Sequence, residues 1–306
     1  MEGTLVSVLE NRPPDTEILV ALDRPYADPY DLKGEVRFID APAGAGPSVT
    51  VNAGLAAARA PFVHLLASGC RVTDGWTERA LARFGASQVG AVAPLAMYLD
   101  KPERIFAAGV GYRRGGQRYL VGRDQTRLTG EDVAAIVGPC LFAAFYRKSA
   151  LERAGGLSPQ LGLAQADADL GLSLARGGFT CHFEAQSQVL AESDVSEPLG
   201  PFRRALYDER LFWRNLPSGS RMGALTAHAA IVAGELLGSL GRPRFIAQLT
   251  ARFLACCQAR TLARAAANPP SIHKKADHSP LDHWRVDRSH SKAGAGDQSK
   301  TAAPLR

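Results

Sequence analysis

The sequence predicts an α/β protein: a mostly parallel sheet with helices on both faces, followed by a C-terminal helical extension and a disordered tail. Three observations predict it. Between Glu17 and Glu192, short apolar runs that end at Gly, Pro or Asp alternate with helical segments, the pattern of strands in a covered, largely parallel sheet. The clearest run is Phe62-Val63-His64-Leu65-Leu66, which stops at Ala67-Ser68-Gly69, as a buried strand does where it opens into a loop. Beyond Glu192 helical patterns replace the strands, and beyond Asn268 all periodicity is lost. With 306 residues, 46% of them apolar and 22% charged, the chain can bury a sizeable core.

Each element follows in order. Thr4 to Glu10 is a short helix that Arg12-Pro13-Pro14 stops. Glu17 to Asp23 is a strand with an acid at its carboxyl end, closed by Pro25. Val36 to Ile39 is a second, and a Gly- and Pro-rich loop then leads to a helix from Ser48, its expected cap, to Arg59. After the Phe62 strand come a helix from Gly75 to Phe84 and the strand Val89 to Leu95. From Lys101 to Gly130 the chain is rich in Gly and Arg and reads as an irregular excursion with short strands. Ile136 to Tyr146 returns as a strand. Ala166 to Phe179 then reads as a helix opened by Asp167 and Asp169 and closed by glycines.

Three helices follow, Leu199 to Leu216, Met222 to Leu240 and Arg244 to Ala267. Their amphipathic, basic pattern fits a layer packed on the sheet, or a surface that docks on a membrane or on a partner's helices. His228 and Glu235 argue against a spanning helix. The expected division is therefore 1–197 for the α/β domain, 198–267 for the helical extension and 268–306 for the tail.

The net charge of +6 is only half a property of the folded part, because the tail alone carries seven basic against four acidic residues. No nucleic-acid motif accompanies it, so nucleic acid is excluded as a partner. Five scattered cysteines do not make a secreted disulfide framework, and Met1-Glu2-Gly3 opens no signal peptide. Both point to a cytoplasmic protein, with membrane association through its helices as the variant.

The series Asn52-Ala53-Gly54-Leu55, the apolar strand, Arg71-Val72-Thr73-Asp74-Gly75-Trp76, then Gly155-Gly156-Leu157-Ser158 and Ala166-Asp167-Ala168-Asp169-Leu170 resembles the family 2 glycosyltransferases, which have the GT-A fold. The resemblance runs from Thr4 to Glu192. It implies transfer of a sugar from a nucleotide sugar to a glycan or lipid acceptor in polysaccharide assembly. It also implies roles: Asp167 as catalytic base, Asp23 on the nucleotide base or ribose, and Asn52 on the nucleotide. The residues alone permit plainer roles. Asp167 and Asp169 suit a helix amino terminus, Asp23 suits a turn and Asn52 suits a local cap.

The chain departs from that family at its metal site. The family's strand ends in Asp-x-Asp, which holds a divalent metal against the diphosphate, whereas this chain has Ala67 and Gly69 there, and Ala191 in place of a His. No metal cofactor is therefore expected. His64 and Cys70 have no ligand spacing and read as core residues. Arg24, Arg71, Arg113 and Arg114 are either surface charges or neutralisers of a diphosphate. Family members also begin with a strand before the helix that matches Thr4 to Glu10. Either the start lies upstream of Met1 or the sheet lacks an inner strand and has an edge to cover. Two functions follow: a sugar-transferring enzyme, and a non-catalytic relative that binds a nucleotide sugar, a glycan or a partner enzyme.

Overall fold

The structure is a computed structural model that describes residues 1–42, 44–192, 199–217, 219–269 and 271. Met1–Lys274 form one compact unit. The second unit, Lys275–Arg306, and with it nearly all of the expected tail, lies outside the described residues.

Helix α1 (Glu2–Glu10) opens the chain and the Asn11 side chain closes it, donating to the Ser7 carbonyl at 2.8 Å. Strands β1 (Leu19–Leu22) and β2 (Arg37–Asp40) pair in parallel as a sheet of their own. Helix α2 (Pro47–Ala57) packs on both. Its cap is Gly46 with Pro47 at the first helical position, where the ring costs no hydrogen bond. Ser48, the expected cap, instead reaches the Leu161 carbonyl at 3.3 Å.

The central sheet has six strands: β3 (Phe62–Leu66), β4 (Cys70–Val72), β5 (Val89–Tyr98), β6 (Ile105–Ala107), β10 (Ala143–Arg147) and β11 (Thr180–Ala191). β11 lies parallel to β5, and β10 sits antiparallel between β5 and β3, so β3, β5 and β11 all run the same way. β5 is buried along nearly its whole length, as a strand flanked on both edges and covered on both faces must be. Among the described residues β3 pairs only with β10 and β1 only with β2, so the sheet is in two pieces at that point. Helices α3 (Glu78–Arg83), α5 (Lys148–Ala154) and α6 (Leu163–Arg176) cover the strands. Phe145, Tyr146, Val92, Phe106, Leu151 and Leu170 fill the core between them.

The excursion after β6 is a three-stranded antiparallel sheet, β8 (Arg118–Leu120), β7 (Val110–Tyr112) and β9 (Ile136–Gly138), with the short helix α4 (Gly130–Ala134) before β9. The single strand expected from Ile136 to Tyr146 is thus two strands that belong to different sheets. Pro139 and Cys140 separate them, and a proline has no N–H to continue a ladder.

From Pro201 the described chain forms four helices, α7 (Pro201–Arg214), α8 (Arg221–Leu237), α9 (Arg244–Cys257) and α10 (Ala259–Ala267). The last expected helix is two, broken at Gln258. α7 packs on α6, α9 and α10, with Ala205, Leu206, Ala251 and Ala255 as a small second core. None of the described helices is long and apolar enough to cross a membrane.

Candidate functional site

Helix α6 begins at Leu163 with Gly162 before it, so Asp167 and Asp169 lie beyond its first turn and face inward. Neither complements the helix terminus. Close approach to β9 sets their position: a Cβ on Gly171 would stand 2.5 Å from the Val137 carbonyl oxygen, and only glycine admits that contact.

Asp167 is 1% exposed. Its carboxylate accepts from Arg118 on β8, at 2.6 Å from one guanidinium nitrogen and 3.2 Å from Nε, and from the Ala168 N–H at 2.7 Å. Burial pushes this carboxyl above its ordinary value while Arg118 pulls against it, and the carboxylate in turn holds the guanidinium up. The Cys140 sulfur lies 3.8 Å from the same guanidinium, and burial pushes its thiol up to about 12. The Tyr146 hydroxyl, fully buried and without a hydrogen-bond partner, shares this environment and is raised by burial first and Asp167 second. Asp169 faces the helical layer instead, accepting from Arg214 at 2.9 Å and from the Asn215 amide at 2.8 Å.

Asp23 stands just past the end of β1, about half exposed, with Arg24 at 3.3 Å. Asn52 is committed to the backbone: its amide donates to the Leu157 carbonyl at 2.8 Å and its carbonyl accepts from the Leu157 N–H at 2.9 Å. It staples α2 to the Gly155–Ser158 loop and caps no helix.

Ala67, Gly69 and Ala191 meet at one corner. β3 ends in a tight turn in which the Cys70 N–H reaches the Ala67 carbonyl, and Gly69 takes φ +89°, a conformation open to glycine. Ala191 is in register with Cys70, and the Glu192 N–H donates to the Gly69 carbonyl at 2.9 Å. The side of the turn is held by α1, whose Thr4 hydroxyl accepts from the Gly69 N–H at 3.0 Å. His64 is a partly buried residue of β3, stacked on Phe145 at 3.8 Å. It accepts from the Trp76 indole N–H at 3.1 Å, and burial lowers it to about 3. Two open clefts lie elsewhere, one beside Arg79, Arg83 and Glu184 and one beside Tyr98, Lys101 and Asp124; neither is lined by Asp23, Asn52 or Asp167.

Arg118 is the residue that sequence reasoning missed. It sits in a three-residue strand inside the Gly- and Arg-rich excursion, and its partner is 49 positions away. Of the arginines that sequence did single out, Arg24 is a surface charge, Arg113 stacks on Tyr119 at 4.8 Å and Arg114 lies beside Gly223 of α8.

No family model matches the chain, and no curated protein does. Solved structures do. A mannosyltransferase from Pyrobaculum calidifontis, determined with GDP-Man and Mn2+, is 15% identical over 87% of this chain and 79% of its own, with a TM-score of 0.48. GalNAc-T7, determined with UDP, GalNAc and Mn2+, is 13% identical over 74% of this chain with a TM-score of 0.54. The match spans half of the length of GalNAc-T7.

The expectation of a metal-free site needs correction. The GalNAc-T7 structure holds Mn2+, and a divalent ion at a diphosphate takes part of its oxygen shell from the ligand. Loss of the metal ligands at Ala67, Gly69 and Ala191, two carboxylates and a His, therefore does not establish metal independence. Among the described residues no three His, Cys, Asp or Glu side chains gather as metal ligands, so no step is assigned to a metal. At identities this low the likeness speaks for architecture, and on that basis the chain has the GT-A glycosyltransferase fold.

Proposed function

We propose that this protein is glycosyltransferase-like, binding a nucleotide sugar and passing its sugar to a glycan or lipid acceptor in polysaccharide assembly. What supports the reading is Asp167, an inward carboxylate on α6 in a fold shared with nucleotide-sugar enzymes. As a base it would take the proton from the acceptor hydroxyl, whose oxygen attacks the anomeric carbon while the nucleoside diphosphate departs. That step requires Arg118 to release the carboxylate first. Asp23, exposed at the carboxyl end of β1, is assigned to the nucleotide. Asn52 contributes by fixing the Gly155–Ser158 loop. Peripheral contact with a membrane through the C-terminal helices belongs to the same reading.

One observation favours a second reading, a non-catalytic relative that binds a nucleotide sugar, a glycan or a partner enzyme. Asp167 is buried, and Arg118 occupies both of its oxygens. Calorimetry with UDP and GDP, with and without Mn2+, combined with a transfer assay from UDP- and GDP-sugars to lipid and glycan acceptors, separates the two. Binding with transfer that Asp167→Asn abolishes supports the enzyme. Binding without transfer supports the relative, and absence of both overturns nucleotide-sugar recognition.

A further inference from the structure

Helix α9 is buried on one side and exposes apolar side chains on the other. Ala251, Arg252 and Ala255 are buried toward the rest of the helical layer, and α9 packs on α7. Ile246, Leu249 and Phe253, spaced by three and four residues, share one stripe on its other side. Their exposures are 67%, 46% and 72%, and Leu237 and Leu240, at the connection from α8, are 67% and 57% exposed. Exposed apolar side chains of this size, gathered on one helix stripe and at the connection that leads into it, mark a contact surface. No described element covers them.

Charge says which contact. From Leu236 to Pro269 there is no Asp or Glu, against Arg242, Arg244, Arg252, Arg260 and Arg264. Arg252 is the inward one, neutralised by Glu209 at 2.7 Å and by Glu235. Arg242 and Arg244 stay at the tip, both donating to the Gly238 carbonyl, at 2.8 and 3.1 Å, beside Leu237 and Leu240. Exposed leucine and phenylalanine fringed by arginine fit the boundary of an anionic bilayer, where apolar side chains enter the acyl region and guanidinium groups meet phosphate. A second copy of the chain would set arginine against arginine.

We propose that the outer face of the α8–α9 hairpin docks on an anionic lipid surface without crossing it. The proposal deepens the membrane part of the reading above, yet it rests on this face alone and holds whether or not sugar is transferred. The test is sedimentation of the full chain with vesicles of phosphatidylcholine alone and with an equal share of phosphatidylglycerol. Co-sedimentation is expected with the anionic vesicles only. A doubly substituted Ile246→Ser/Phe253→Ser chain and a doubly substituted Arg242→Glu/Arg244→Glu chain should each bind roughly tenfold or more weakly. Both changes are at exposed side chains, so the thermal midpoint should hold, and UDP or GDP binding measured on the same variants reports on the sugar reading separately. Equal binding to both vesicles, no binding by the folded chain, variants that bind as the parent does, or a dimer that the same substitutions dissolve would each overturn it.

Discussion

Arg118 grips both carboxylate oxygens of Asp167 across the seam between the β7–β8–β9 sheet and α6, at 2.6 and 3.2 Å, with the acid 1% exposed. Removing one partner of such a pair leaves the other charge buried and unpaired, which costs about 3–5 kcal/mol. Asp167→Asn is thus expected to lower stability substantially, whatever its effect on transfer. Paired replacement, Asp167→Asn with Arg118→Met, should recover much of the loss in urea unfolding. If both singles and the double were equally stable, the pair would have no energetic role. Activity of the double at a temperature where it is folded then reports on Asp167 as a base without the stability change.

Sequence alone places Asp167 and Asp169 at the opening of a leucine-rich helix, where an exposed acid contributes only about 0.3–1 kcal/mol. The helix begins at Leu163 instead, and nothing local in Leu163-Ala164-Gln165 announces that. The strands were legible where an apolar run ends at a breaker, as at Phe62–Leu66, which has the expected bounds. They were less so where pairing decides, since Ile136–Tyr146 divides between two sheets. The site was legible only in the residues that a family motif would mark. Arg118–Asp167 and Glu209–Arg252 join residues 49 and 43 positions apart, and no periodicity encodes such distances.

His64 makes a pH prediction. Its ordinary value is 6.5 and burial lowers it to about 3 in the folded chain. Below 6.5 the unfolded chain takes up a proton that the folded chain refuses. Stability from this group is therefore complete above 6.5 and falls as pH drops from 6.5 toward 3. His64→Phe, able to stack on Phe145, should flatten the slope of unfolding free energy against pH in that window relative to the parent. Identical slopes would mean that the imidazole is protonated in the folded state.

Glu209 on α7 is the hub of the helical layer. It accepts from Arg252 at 2.7 Å and from the Trp213 indole N–H at 2.9 Å, and His228 Nε2 lies 3.0 Å away. His228 Nδ1 faces the Gly115 carbonyl at 2.8 Å, and its ring stacks on Phe212. Burial would raise Glu209, but His228 and Arg252 together hold it below its ordinary value. Glu209→Gln removes a buried charge that faces Arg252, and stability should fall, by less than the about 3–5 kcal/mol of a charge left wholly unpaired, because Glu235 still neutralises Arg252. Chemical unfolding followed by Trp213 fluorescence would register it. A variant as stable as the parent would show that the Glu209 charge contributes nothing to holding α7 against α8 and α9.

Asp23 and Asn52 are expected to part company when substituted. Asp23 is about half exposed and pairs with Arg24, and an exposed ion pair contributes about 0–1 kcal/mol, so Asp23→Ala should leave the thermal midpoint nearly unchanged. If it contacts the nucleotide, the same change weakens UDP or GDP binding in calorimetry. Asn52→Ala strips both backbone groups of Leu157 of their partners, and an unsatisfied group that stays buried costs about 1–3 kcal/mol. Its midpoint should therefore fall clearly, with any loss of nucleotide binding following the loosened Gly155–Ser158 loop. Lowered temperature separates that indirect loss from a direct one, because a loop that re-forms on cooling restores affinity while a missing contact does not. Affinity that stays low in well-folded Asn52→Ala would assign Asn52 to the nucleotide after all. Full affinity in Asp23→Ala would remove Asp23 from it.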